Sequence, residues 1–179
     1  MPVHGIENLT GDKVVLQQFN ESFVTDEYVS WLNDSEVMMF SNQRFVKHTL
    51  FSCKEYISTF KGTDNLLLAI LSKDTEQILG SINSYISTQH GLADIGIMVG
   101  DKTQWGKGIG LDAWLTLMDY LFNQRQIRKV TGGALNSNAA MVRIMEKTGM
   151  TLEATRPKHY IVNGELQDIL YYAKYRDDA

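Results

Sequence analysis

Four things are scarce in this chain of 179 residues, and each scarcity excludes a class of protein. A single cysteine, Cys53, rules out an internal disulfide and a cysteine-cluster metal site. Two prolines argue against long disordered linkers, and the longest apolar run, residues 66–71, is far too short to cross a membrane. Positive charge is not in excess, since the formal net charge is −4. The chain therefore has no general electrostatic attraction to nucleic acid or acidic lipid.

The rest of the composition is that of an ordinary globular protein, with 44% hydrophobic and 21% charged residues. The length suits one domain over residues 1–179. The first residues lack the apolar core of a signal peptide, so we expect a cytoplasmic protein. We expect no metal and no nucleic-acid or membrane partner, and either a monomer or a homodimer.

The apolar pattern predicts an α+β (mixed α/β) protein. Three strand-like segments follow one another between residues 65 and 99, which favours an antiparallel meander. A strand, a helix and a strand between residues 92 and 134 imply a parallel crossover. Asn163-Gly164 is the strongest two-residue signal for a closing hairpin. We therefore predict a mixed, mostly antiparallel sheet of about seven strands with four helices.

Three glycines stand at alternate positions, 106, 108 and 110, between an apolar strand and an amphipathic helix. Such a loop exposes backbone N–H groups at a helix N-terminus, which suits a phosphate. The spacing does not fit a Walker A loop, because five residues separate Gly100 from Gly106 and a glycine follows Lys107. It does not fit a dinucleotide fingerprint either, since positions 111 and 113 are not glycine. A glycine-rich turn without a ligand is the alternative.

With two further segments, this loop resembles the acetyl-CoA-binding core of the GNAT N-acetyltransferases. The resemblance is carried by residues 94–100 (DIGIMVG), 105–113 (WGKGIGLDA) and 138–150 (NAAMVRIMEKTGM), and by the closing hairpin around 163–172. It is closest to the ribosomal-protein N-terminal acetyltransferase-like subgroup. It implies a GNAT-like fold, acetyl-CoA as the acetyl donor, and a splay between the cofactor strand and the next parallel strand.

The resemblance also implies which residues contact the donor. Backbone groups of residues 97–99 would pair with the pantetheine arm, and the loop amides would hold the pyrophosphate. Asn138 would contact the cofactor near its pantetheine end, although it could instead be only a helix cap. The expected cofactor-binding residues are Ile97, Met98, Val99, Trp105, Gly106, Lys107, Gly108, Ile109, Gly110 and Asn138.

The family's usual acid and base are missing from their usual positions. Met145 stands where many members have the tyrosine that protonates the leaving thiolate, and Gly132-Gly133 stand where others have a glutamate base. An amine must still lose a proton before it attacks. The candidate catalytic residues are Asp94 at the start of the cofactor strand, which we favour, His48 in a long loop, and Asp168 in the last strand. A plain structural role is the alternative for Asp94 and Asp168.

The acceptor is expected between the long polar loop around residues 40–49 and the closing hairpin. The candidate substrate-binding residues are Asn42, Gln43, Arg44, His48 and Tyr160. Arg44 suits a carboxylate or a phosphate, hence a peptide terminus or a nucleotide-linked amino sugar. We therefore expect an acetyl-CoA-dependent N-acetyltransferase acting on a protein or peptide N-terminus or on such a sugar. A catalytically silent acyl-CoA-binding module is the alternative, motivated by the missing tyrosine and glutamate.

Overall fold

A computed structural model describes residues 6–177, which contain eight strands and four α-helices. In chain order they are β1 (Leu9–Thr10), β2 (Val14–Gln18), α1 (Asp26–Leu32), α2 (Leu50–Ser58), β3 (Leu66–Ser72), β4 (Ile78–Ser87), β5 (Leu92–Val99), α3 (Ile109–Asn123), β6 (Lys129–Leu135), α4 (Ala139–Lys147), β7 (Thr151–Val162) and β8 (Glu165–Tyr175). The predicted mixed class and the four helices are confirmed. The additional strand is β1, whose two residues are too few to show an apolar period.

All eight strands form one sheet in the order β1-β2-β3-β4-β5-β6-β8-β7. Every neighbouring pair is antiparallel except β5 and β6, which α3 connects. This parallel pairing covers three residue pairs, from Leu92↔Lys129 to Asp94↔Thr131. Beyond them, Ile95–Val99 of β5 and Gly132–Leu135 of β6 are not paired with each other. We call this V-shaped opening the splay, and its presence confirms the prediction.

Helices cover both faces of the sheet. Trp114 and Leu117 of α3 pack with Met145 of α4 in the larger core cluster, while α1 and α2 bury Trp31 and Ile57 in a second cluster on the opposite face. Strand β3 alternates between the two clusters, which explains why its apolar run is continuous. We call these the α3 face and the α1 face.

Helix ends follow local sequence signals. Thr25 accepts a hydrogen bond from an N–H of the first turn of α1, and Thr49 forms a reciprocal capping box at the start of α2. Gly149, at φ 77°, follows the end of α4, and Asn163-Gly164 makes the predicted tight hairpin at φ 50° and 82°. The longest helix, α3, has 15 residues, and none within residues 6–177 is long and apolar enough to cross a membrane.

Candidate functional site

The three glycines of the loop have two different roles. Gly106 and Gly108 have φ of 75° and 85°, in the left-handed region where a Cβ is disfavoured. Gly110 has no such φ, but a Cβ there would lie 3.0 Å from Cδ1 of Ile144 in α4. Two glycines therefore shape the turn, and the third lets α3 approach α4 closely.

Helix α3 begins with unpaired donors. Gly108 is its N-cap residue and provides no side chain to cap it. Within residues 6–177, the N–H groups of Ile109, Gly110 and Leu111 have no acceptor. Together with the helix dipole, these groups form an anion-binding surface. Because the loop follows the carboxyl end of β5, this surface lies at the open end of the splay.

The open edge of β5 presents alternate residues to the splay. The carbonyl of Met98 points towards β4, where a Cβ on Gly80 would overlap it, and the N–H of Gly100 donates to the Leu79 carbonyl of β4 at 2.9 Å. By alternation, the backbone groups of Ile97 and Val99 face the splay. Of the three predicted backbone contacts, Ile97 and Val99 are oriented for an extended ligand, whereas the backbone of Met98 is used within the sheet.

The remaining predicted cofactor residues have structural contacts of their own. The indole N–H of Trp105 donates to the Val99 carbonyl at 2.8 Å, so this side chain covers part of the β5 edge. The carbonyl of Lys107 accepts from Nζ of Lys13 at 2.7 Å, while the Lys107 side chain is exposed. Oδ1 of Asn138 accepts from the N–H of Met141 at 3.2 Å, which makes this side chain the cap of α4.

Asp94 is the last residue of β5 that pairs with β6, so it lies at the vertex of the splay. Ala93 and Ile95 are buried on the α3 face, and Asp94 therefore points to the α1 face. Its Oδ1 accepts from the Thr131 hydroxyl at 2.6 Å. Desolvation by the surrounding protein raises the pKa of Asp94 above its ordinary value, and the Thr131 hydroxyl offsets this only in part.

Two neighbours of Asp94 on β4 were missed by the sequence reasoning. Tyr85 is its direct cross-strand partner, and the Tyr85 hydroxyl lies 2.9 Å from that of Tyr56 in α2. Two pairs further along, on the same face, Oδ1 of Asn83 lies 2.9 Å from where a Cβ on Gly96 would be. The β4–β5 register alone could have revealed them, and that register is set by the turn over residues 88–91.

A cavity of about 490 Å³ lies between the long loop and the closing hairpin. It is lined by Asn42, Arg44, Phe45, His159, Tyr160 and Ile161, which include three of the predicted substrate-binding residues. The terminal nitrogens of Arg44 donate to the carbonyls of Ser41 and Ile161 at 2.7 and 3.1 Å. Arg44 therefore ties the loop to the hairpin and does not present a free fork to an anion.

Gln43 and His48 do not line this cavity. Nε2 of His48 lies 3.3 Å from the Gln43 carbonyl, and the His48 N–H donates to Asn33 at 2.8 Å. These contacts stabilise the loop itself.

The three candidate bases do not form one cluster. The carboxylate of Asp168 accepts from the N–H of Lys158 at 2.7 Å, which holds that residue at its left-handed φ of 51° in β7. The backbone of Asp168 is hydrogen-bonded to Asn136, which directly follows β6 and lies five residues, or about 16 Å, beyond Thr131. Asp94 alone lies at the splay.

Met145, at the usual tyrosine position, is completely buried, and its sulfur lies 3.3 Å from a Cβ placed on Gly132. It therefore packs the core and offers no proton. Within residues 6–177 there is no cluster of three His, Cys, Asp or Glu side chains arranged to hold a metal ion.

The chain is similar to known proteins in sequence and in fold. The family described as "Acetyltransferase (GNAT) domain" matches residues 13–151. The probable N-acetyltransferase YjcK of Bacillus subtilis is 25% identical over 116 residues, which are 64% of this chain and 64% of that protein, just under two thirds of each. The aminoglycoside N(6')-acetyltransferase type 1 of Klebsiella pneumoniae is 24% identical over 164 residues, covering 85% of this chain and 81% of that protein.

A solved structure extends the comparison to nearly the whole chain. The structure of RimL, a ribosomal L7/L12 alpha-N-protein acetyltransferase in complex with coenzyme A, matches this chain with a TM-score of 0.82 at 16% sequence identity. The match covers 97% of this chain and 100% of that chain. At such low identity, this similarity shows a shared fold and nothing further.

Proposed function

Because this chain belongs to the GNAT acetyltransferase family, we propose that it transfers an acetyl group from acetyl-CoA to a primary amine by direct attack on the thioester. The observation that carries the proposal is the splay. Strands β5 and β6 separate directly after Asp94 and Thr131, and β5 then leads into the glycine loop. The opening can admit an extended thioester arm, and the loop can bind its diphosphate.

The donor would be held mainly by backbone groups. The N–H groups of Ile97 and Val99 face the splay and can pair with the amide groups of the pantetheine arm. The free N–H groups at the start of α3 can take the pyrophosphate. Holding the thioester in a fixed orientation accounts for much of the acceleration expected of such an enzyme.

Asp94 would accept a proton from the protonated amine, directly or through a water, so that the neutral nitrogen can attack. The nitrogen then bonds to the acetyl carbon and loses its second proton to solvent, while the carbon–sulfur bond breaks and the sulfur leaves as a thiolate that takes a proton from solvent. A free thiol has a pKa of about 8.5, so the thiolate can leave without the family's tyrosine. The raised pKa of Asp94 makes it a stronger base than an ordinary aspartate.

The acceptor would approach from the α1 face, past Tyr85 and the cavity between the loop and the hairpin. Two classes of amine are candidates: the N-terminus of a protein or peptide, the kind of amine named for RimL, and an amino sugar, the kind implied for the aminoglycoside enzyme. The nucleotide-linked form of the sugar has less support, because both terminal nitrogens of Arg44 already donate to carbonyls. We therefore place the peptide N-terminus first.

The direct test measures CoA release from acetyl-CoA with a panel of amines. The panel contains short peptides with a free α-amine, the same peptides with a blocked N-terminus, free and nucleotide-linked amino sugars, and an aminoglycoside. We expect turnover with free peptides and none with blocked ones. Tight acetyl-CoA binding without turnover on any amine would favour the silent binding module, and no acetyl-CoA binding would reject both.

A further inference from the structure

The turn between β1 and β2 lies against the glycine loop. Nζ of Lys13 donates to the Lys107 carbonyl at 2.7 Å, a contact between residues 94 positions apart. The same Nζ lies 3.5 Å from where a Cβ on Gly108 would be. The turn thus places an ammonium group beside Gly108, the N-cap residue of α3, and so close to the free N–H groups that begin this helix.

Asp112, in the first turn of α3, holds this turn in place. One of its carboxylate oxygens accepts from the N–H groups of Lys13 and Val14 at 2.8 and 3.0 Å, and the other accepts from the N–H of Asp12 at 3.1 Å. Gly11 is required at the contact, because a Cβ there would lie 2.5 Å from Oδ2 of Asp112. Three backbone donors on one carboxylate fix the turn to the helix.

We propose that Lys13 binds a phosphate of the acetyl donor and that Asp112 is the positioning residue that holds Lys13 at the loop. This inference rests on the proposed function. An ammonium beside free N–H groups at a helix N-terminus adds a formal charge to a surface that already favours anions. Lys13 is restrained by its bond to the loop, whereas Lys107 extends into solvent, so Lys13 loses less conformational entropy when it binds.

The direction in which Asp112→Asn changes the affinity for the donor distinguishes a positioning role of Asp112 from a purely electrostatic one. Asp112 carries a negative charge close to the expected phosphate, so a purely electrostatic effect would make the Asp112→Asn variant bind the donor more tightly. A positioning role predicts the opposite, because an amide has one acceptor oxygen for three N–H groups and the turn would loosen.

The experiment compares two ligands by calorimetry: CoA, which carries the phosphates, and acetyl-pantetheine, which carries none. For Lys13→Met we expect CoA to bind about tenfold more weakly and acetyl-pantetheine to bind unchanged. Lys13→Arg should restore most of the affinity, and the steady-state effect should fall on the KM for acetyl-CoA rather than on kcat. Asp112→Asn should also weaken CoA binding severalfold, while the exposed-lysine control Lys61→Met should bind both ligands like the wild type.

Equal losses for CoA and acetyl-pantetheine would overturn the inference, and so would unchanged CoA binding by Lys13→Met or tighter binding by Asp112→Asn. If Lys13→Met fails to fold, the salt dependence of CoA binding is measured instead, for Lys13→Arg and for the wild type. A salt dependence of CoA binding no steeper than that of acetyl-pantetheine binding would overturn the inference. A wild-type protein that binds no CoA would instead reject the proposed function.

Discussion

At the scale of single residues, Asp94 has a role in chemistry that opposes its role in stability. Desolvation raises its pKa, so the folded protein disfavours the ionised carboxylate that a base requires. At pH values between the pKa that Asp94 has in the unfolded chain and its raised pKa in the folded protein, the folded state binds more protons than the unfolded state. Stability from this group is therefore present in acid and lost as the pH rises through that window.

Asp94→Asn should separate the two roles. We expect the rate with saturating acetyl-CoA to fall about 100-fold or more. The variant should also melt at a slightly higher temperature than the wild type at pH 7, because it removes a partly desolvated charge from a side chain that is still exposed to solvent, and this difference should vanish at a pH below the unfolded-state pKa. Thermal melts across pH and steady-state rates measure both effects.

The exposed residue Asp74 provides the matched control, since Asp74→Asn removes the same charge from a turn far along the chain from the splay. It should leave both the rate and the pH dependence of melting unchanged. A full rate in Asp94→Asn would show that another group or solvent takes the proton. A difference in melting temperature that persists in acid would show that desolvation is not its cause.

At the scale of elements, local signals were predictable and distant contacts were not. The caps Thr25, Thr49 and Asn138 could be located because each bonds to an N–H three residues away. Strand β1 was missed, and with it Lys13, because the bonds that fix this turn reach Asp112 about 100 positions later. Tyr85 was missed for the same reason, since its place beside Asp94 depends on strand register.

The glycine loop leads to a prediction at this scale. Gly108→Glu should lower CoA affinity by at least about 100-fold, because it adds a negative charge beside the phosphate surface and a Cβ at a left-handed φ. The new carboxylate would also lie close enough to pair with Lys13. Calorimetry with CoA measures the loss.

Gly62→Glu is the matched control, because Gly62 has a similar φ of 73° and nothing within 4 Å of an added Cβ. Both variants carry the same backbone strain and the same charge, so a loss in Gly108→Glu alone assigns the effect to the loop. Unchanged CoA affinity in Gly108→Glu would reject the loop as the phosphate site.

At the scale of the whole molecule, the sheet consists of two parts, β1–β5 and β6–β8, which are paired through three residue pairs. The sequence predicted the strands on either side of this junction from their apolar patterns. The splay was inferred from the family resemblance, since no residue pattern states where two strands stop pairing. It coincides with a tertiary contact: Trp114 of α3 lies against Gly132, the first residue of β6 beyond the paired segment.

A ligand in the splay should therefore connect the two parts of the sheet. Saturation with acetyl-CoA should raise the melting temperature, since at 100 times Kd a bound ligand adds about 2.7 kcal/mol to the free energy of unfolding. Hydrogen exchange followed by NMR should locate the effect. The amides of Ile97 and Val99, which face the splay, should become protected, whereas that of Met98, turned towards β4, should already be protected without ligand. A uniform change along β5 would mean that acetyl-CoA stabilises the fold without adding its arm to this edge.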